Sequence, residues 1–319
     1  MSLHPEFQAY LDWLNPIVAQ SVAAGVQATP ESARAALAGL NEFALPAVDI
    51  AEVVDTRVSA PGGPVPVRVY VPRPGVPSDT ILFVHGGGHM AGDLDVYDFS
   101  ARRTAAATGM VVVSVDYRRA PEARYPAGLE DAYGVLQRIG EGLPGVATTG
   151  RVHAVGDSGG GAKLASIAQR VAAGAWESPV ERQVLLYPSL DYTMRGQTVS
   201  DYGTGYFLSA ERIAWYFGHY FEDGDDRAAA SPLLGPYASD MPHTLVIAAE
   251  YDPLLSEAEE YVARMREAGA RAEFVVATGM IHAFAFFESK IPAEIARLYE
   301  IVGDFLNTGR APERWESQP

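Results

Sequence analysis

No cysteine occurs among the 319 residues. That absence excludes a disulfide framework, a thiolate nucleophile, a zinc–thiolate site and an iron–sulfur cluster. It fits a reducing compartment. A chain of this length buries about 75% of its unfolded surface and needs no covalent staple. Basic charge is also scarce: 24 Lys and Arg face 40 Asp and Glu, a formal net charge of −16. An acidic surface repels phosphate backbones and anionic lipid heads, so neither nucleic acid nor membrane is an expected partner. Long hydrophobic runs are missing too. No stretch approaches the ~20 apolar residues of a membrane span, and the segment Met1-Ser-Leu-His-Pro-Glu-Phe7 has no basic region or apolar core of a signal peptide. The expectation is a cytoplasmic globular protein.

What is present has order. Phe7, Leu11, Leu14 and Val18 recur at helical spacing, with Pro16 expected to end or kink that helix. Thr29-Pro30 reads as an N-cap opening a second helix. Asp55–Val58 and Val65–Val71 alternate around Pro61-Gly-Gly-Pro64, which predicts an antiparallel pair. From residue 80 the texture changes to short apolar runs, Ile81–Val84, Met110–Val115, Val152–Val155, Val184–Leu186, Leu245–Ala248 and Phe274–Val276, most of them separated by helical stretches. Strands without alternation are buried on both faces, as in a parallel sheet covered by helices. Residues ~190 to ~242 are long for a connection and rich in aromatics, a length usually given to lids and binding elements. With residues 1–48 they are expected to form a cap on a catalytic domain spanning residues 49–319. Most of the aromatics are expected to fill a core between cap and sheet.

Three motifs carry chemistry. Gly156-Asp-Ser158-Gly-Gly-Gly161 lies between the strand Val152–Val155 and a helical stretch with Leu164, Ile167 and Val171 on one face. This is the context of a nucleophile elbow, where the serine is strained and glycines two residues either side leave room for a sharp turn. A phosphate-binding loop is the alternative, but the spacing fits neither G-x-G-x-x-G nor a P-loop. His85-Gly-Gly-Gly-His89 follows Ile81–Val84. Successive glycines let backbone N–H groups turn towards a substrate carbonyl, and Gly87, Gly88 and Gly159 are the expected oxyanion donors. Metal binding by His85 and His89 with Asp93 or Asp95 is the weaker reading, because a flexible glycine spacer holds two imidazoles poorly. Finally, Asp252 follows the strand Leu245–Ala248 and His282 follows Phe274–Val276, which brings both to the edge where Ser158 emerges. The order Ser158, Asp252, His282 suits a nucleophile–acid–base set, with Glu250 as a competitor for the acid.

Together, His85-Gly-Gly-Gly, Gly156-Asp-Ser-Gly-Gly, Asp252-Pro-Leu and His282-Ala-Phe resemble the motifs of bacterial hormone-sensitive-lipase-like (family IV) esterases. The resemblance covers residue ~50 onward. It departs at Gly159, usually alanine, and at His89, usually aromatic. It implies an α/β-hydrolase fold with a mostly parallel eight-stranded sheet, flanking helices and a helical cap. The implied activity is a cofactor-free, metal-free carboxylesterase acting on short- to medium-chain acyl esters. His89, Tyr187, Tyr206, Phe207 and Ile281 are expected to contact the small-molecule substrate. A homodimer through the last strand is also implied, unless the helix read over Ile295–Leu306 covers that edge. The same residues would serve an amidase, deacetylase or transacylase, and a non-catalytic receptor on this fold is a distant third.

Overall fold

A computed structural model describes residues 2–143 and 145–315. The chain opens with α1 (Pro5–Ala23) and α2 (Pro30–Gly39). Thr29 caps α2 in a reciprocal capping box with Ser32. Contrary to the expectation at Pro16, α1 runs through it. Proline removes the N–H that would bond the Asp12 carbonyl, but Asp12 and Pro16 both face solvent, where water can satisfy that carbonyl.

The antiparallel pair β1 (Glu52–Ala60) and β2 (Gly63–Val71) then leads into the alternating region. This contains β3 (Ser78–Val84), α3 (Asp98–Thr108), β4 (Val111–Val115), α4 (Ala127–Glu141), β5 (Thr148–Asp157), α5 (Ser158–Ala172) and β6 (Val180–Leu186). Between β6 and β7 (His243–Tyr251) lie α6 (Gln197–Tyr202), α7 (Ala210–Tyr220) and α8 (Arg227–Ala230). α9 (Leu255–Glu267), β8 (Ala272–Ile281) and α10 (Pro292–Thr308) follow.

The eight strands form one sheet in the order β1-β2-β4-β3-β5-β6-β7-β8. Pairings from β4 through β8 are parallel, and only β1 with β2 and β2 with β4 run antiparallel. Successive side chains of a strand point to opposite faces, so β3 sends Ile81 and Phe83 into one core and Leu82 and Val84 into the other. The first core is closed by α3, α10 and the start of α1, the second by α4, α5 and α9. The sequence assigned α5 one apolar face, but it is buried almost all round, from Gly159 to Gln169. The carboxyl ends of β3, β5, β7 and β8 open onto one edge. Over that edge lie α1, α2 and α7.

Candidate active site

β5 ends at Asp157, and the chain turns at once into α5 with Ser158 at a φ of +45°. The turn leaves no space for side chains. A Cβ on Gly160 would sit 1.9 Å from the Val84 carbonyl oxygen, and one on Gly156 would sit 2.8 Å from the Gly160 carbonyl carbon. Those two contacts explain the glycines that the sequence motif displays.

Ser158 Oγ lies 3.1 Å from His282 Nε2. The other imidazole nitrogen, Nδ1, lies 2.7 Å from Asp252 Oδ2. Asp252 is buried, and its second oxygen accepts the N–H of Leu254, which opens the turn into α9. Glu250, the competing carboxylate, instead accepts the N–H of Gly279 on the neighbouring strand at 2.7 Å. An imidazole held between a buried carboxylate and a hydroxyl has a fixed tautomer and a route for the hydroxyl proton.

The loop after β3 supplies the opposite wall. Gly87 and Gly88 have φ of +97° and +60°. The Tyr216 ring of α7 packs onto Gly88, 2.5 Å from where a Cβ would be. Asp157 ties this loop to the elbow: its carboxylate accepts the Gly86 N–H at 2.6 Å and the Tyr97 hydroxyl at 3.1 Å. Burial raises the Asp157 carboxyl to about 6, against the pull of those two donors. Gly159, the first residue of α5 after Ser158, carries an N–H that the helix leaves free.

His85 is fully buried, stacked on Tyr117 at 4.3 Å, and burial lowers its pKa to about 3. His89 stacks instead on Tyr220 at 3.8 Å. Asp93 accepts the backbone N–H groups of Asp95 and Val96, and Asp95 pairs with Arg68. Among the described residues there is no group of three metal-ligating side chains.

These elements enclose a cavity of about 340 Å³. Ser158, His282, Gly87, Gly88, Gly159, His89 and Phe207 line it, and Asp252 stands behind His282. Three of the residues expected to touch substrate do not line it. Tyr187 is buried beside the His282 ring, Ile281 is buried in the core at the end of β8, and Tyr206 stacks on Tyr251. Tyr187, just after β6, and Ile281, the last residue of β8, both pack into the core on one face of the sheet rather than up into the cavity. The aromatics between residues 190 and 242 divide. Tyr192, Phe217, Tyr220 and Phe221 pack in a small core with Ala120, Ala162 and Leu254, while Phe207, Tyr216 and also Phe217 face the cavity. Tyr10, Leu14, Val18, Leu208 and Ile213 also line it, and no motif marks them for that role. Lys163, fully buried beneath His89, was equally silent.

Fold and site together define an α/β-fold hydrolase built around a serine. Residues 81–286 match the family model described as alpha/beta hydrolase fold. The chain is 31% identical to ethyl acetate hydrolase of Pseudomonas putida, over 89% of this chain and 92% of that protein. It is 35% identical to carboxylic ester hydrolase LipN of Mycobacterium tuberculosis, over 73% of this chain and 64% of LipN. A solved Pyrobaculum calidifontis esterase superposes with a TM-score of 0.83 at 32% identity, covering 96% of this chain and 99% of that one. The chain belongs to the hormone-sensitive-lipase-like (family IV) esterases of the α/β-hydrolase superfamily, and it is a carboxylic ester hydrolase of the serine type.

Proposed function

We propose that the chain hydrolyses short- to medium-chain acyl esters through an acyl-enzyme on Ser158. Residues 1–48 and the insertion at about 190–242 act as a cap over the catalytic part, residues 49–319. His282 Nε2 takes the Ser158 proton as Oγ attacks the ester carbonyl carbon, and Asp252 steadies the imidazolium through Nδ1–H. The carbonyl oxygen becomes an oxyanion held by the N–H groups of Gly87, Gly88 and Gly159. Collapse expels the alcohol, which leaves with the proton from His282. Water then gives a proton to His282 and attacks the acyl carbon, so the carboxylic acid departs and Ser158 regains its proton. The observation that carries this reading is His282 bridging Ser158 at 3.1 Å and Asp252 at 2.7 Å on the cavity wall.

The cavity lining is largely apolar, from Tyr10, Leu14, Leu37, Phe207 and Phe286. Each CH₂ buried there contributes ~0.8 kcal/mol until the space is full. Efficiency should therefore climb with acyl length and then fall, with the peak on the order of two to eight acyl carbons, a range that the resemblance to the family implies. No described helix is long and apolar enough to cross a membrane, and the site of action proposed is the cytoplasm. β8 is an edge strand, and α10 packs chiefly on α3 rather than along that edge; the chain before α1 covers it only near Gly279, whose carbonyl accepts the His4 N–H, so the earlier part of β8 is the part proposed to pair with a second copy. A fluorophosphonate probe with an acyl-ester series provides the test. Labelling of wild-type protein that is absent from Ser158→Ala supports the proposal, and a wild type that takes no label refutes it. Efficient hydrolysis of emulsified long-chain triglyceride would refute the chain-length part, and a 34.2 kDa species in sedimentation would refute the dimer.

A further inference from the structure

The chain carries only two lysines, Lys163 and Lys290, and arginine supplies every other cationic side chain outside histidine. Lys290 is at the surface, near Glu6. Lys163 is 1% exposed, in the middle of α5. Its Nζ lies 2.8 Å from His89 Nδ1 and 4.0 Å from the centre of the Tyr117 ring. His89 in turn stands between the lysine and the reaction centre. It directly follows Gly88, it is held by stacking on Tyr220, and its ring lies 3.3 Å from where a Cβ on Gly159 would be. An ammonium ion has donors only, so His89 Nδ1 accepts and the imidazole proton resides on Nε2.

We propose that Lys163 is a positioning residue for ester hydrolysis: as an ammonium ion it fixes His89 against the Gly87–Gly88 loop and sets positive charge behind the developing oxyanion. The inference rests on the reading of Ser158 as nucleophile and of Gly87, Gly88 and Gly159 as oxyanion donors. A buried lysine is a compact charge that responds readily to its surroundings, which arginine does not. Here burial lowers its pKa to about 7, while Asp157 and Asp131 oppose the shift.

The groups around it are accounted for. Asp131 of α4 pairs with Arg118, and Asp157 of β5 binds Gly86 and Tyr97. Tyr117 and Tyr220 are raised far above neutral by burial, and His85 and His89 are held neutral by burial. As pH rises, Asp157 loses its proton at about 6 and Lys163 at about 7. The supporting charge is therefore lost on the alkaline side. The effect on stability has the opposite sign. A lysine whose folded pKa lies below its unfolded one weakens the fold while charged, so that weakening is relieved as pH climbs from about 7.

With two lysines, protein labelled with ¹³C at lysine Cε gives a two-signal titration. Lys163→Met keeps the stem and removes the charge. We expect one signal to titrate near neutrality and to vanish in Lys163→Met. We expect wild-type kcat on phenyl acetate to fall above that pH with KM little changed. Lys163→Met should show a kcat about tenfold lower and no alkaline limb. The wild-type Tm, relative to the variant, should rise over the range in which wild-type kcat falls. A wild-type limb and kcat retained by Lys163→Met would overturn the proposal, as would two lysine signals that both titrate near 10. If Lys163→Met does not fold, His89→Phe removes the acceptor and keeps the lysine. The lysine titration and the alkaline limb should then move together, and a limb that stays while the signal moves refutes the link. A wild type that fails to cleave phenyl acetate would instead refute the parent esterase reading.

Discussion

The floor and the roof of the cavity are built on different physical terms. The floor consists of strand ends, the elbow and the glycine loop, and its parts are joined by short hydrogen bonds with little free space. Asp252, His282 and Ser158 form one chain, and Asp157 locks the loop after β3 to the elbow after β5. The roof is made of helix faces. Its polar ties are few: Arg34 reaches the Met90 and Ala120 carbonyls and Glu122, Asn15 reaches the Gly205 carbonyl, and the Tyr220 and Phe221 carbonyls accept from Tyr125 and Arg124, while the cavity-facing side chains are largely apolar. Hydrogen bonds fix angles and positions, whereas apolar contacts tolerate changes of shape. On the proposed mechanism, chemistry belongs to the rigid region and substrate fit to the adaptable one.

The largest test of that division removes the reacting groups from the floor. Ser158→Ala and His282→Ala should each abolish nearly all turnover, with the double variant little worse than either, because groups that act as a unit are not additive. Asp252→Asn should keep the fold yet lose up to ~10⁴ in kcat, and Glu250→Gln much less. Multiplying losses, or the reverse ranking of the two carboxylates, would break the picture of one linked chain.

A smaller effect should separate neighbouring glycines of the same floor. Gly160→Ala forces a Cβ to within 1.9 Å of a backbone oxygen, whereas in Gly159→Ala the nearest atom is the His89 nitrogen at 3.2 Å. Overpacking against backbone costs on the order of 1–3 kcal/mol or more, so Gly160→Ala should lower Tm sharply or prevent folding. Gly159→Ala should fold and retain most activity. Equal melting temperatures would show the turn to be looser than its contacts imply.

The smallest change is expected in the roof. Phe207→Ala and Leu14→Ala open the cavity without touching the floor, so kcat on the shortest ester should change only a few-fold. The acyl-length optimum should move up by one or more carbons, about 0.8 kcal/mol for each CH₂ newly buried. An unmoved optimum would mean that the floor, not the roof, sets chain length.

The same contrast governs what the amino-acid sequence discloses. The floor is legible because its demands are local: Gly156, Ser158 and Gly160 must stand at fixed offsets, and Gly86 through Gly88 must be small where Asp157, the Ala91 carbonyl and the Tyr216 ring press on the loop. Asp252 and His282 could be placed because each follows a buried apolar strand. The roof was not legible. Leu14 and Val18 show helical spacing whether they face a core, a cavity or water. The family resemblance implies Tyr187, Tyr206 and Ile281 at the substrate, but their directions are set by packing with His282, Tyr251 and the core. Lys163 gave no local signal either, since a lone lysine in a helix ordinarily reads as solvated. The one hint was its rarity in a chain that otherwise uses arginine. Pro16 misled for a similar reason, because its cost depends on which side of the helix meets water.

Phe7 of α1 packs edge-on against Phe287 with ring centres 5.3 Å apart, and Tyr10 meets the same ring at 5.0 Å. These contacts join residues 280 and 277 positions apart, and Phe287 lies just beyond the loop that carries His282. At about 5–20 residues per second, a ribosome takes roughly 15–60 s to cover that distance. Throughout that interval the apolar side of α1 has been synthesised but its partner has not. The helix that roofs the cavity is therefore made well before the segment it docks on, and in a growing chain it must wait, uncovered, for the stretch that holds His282.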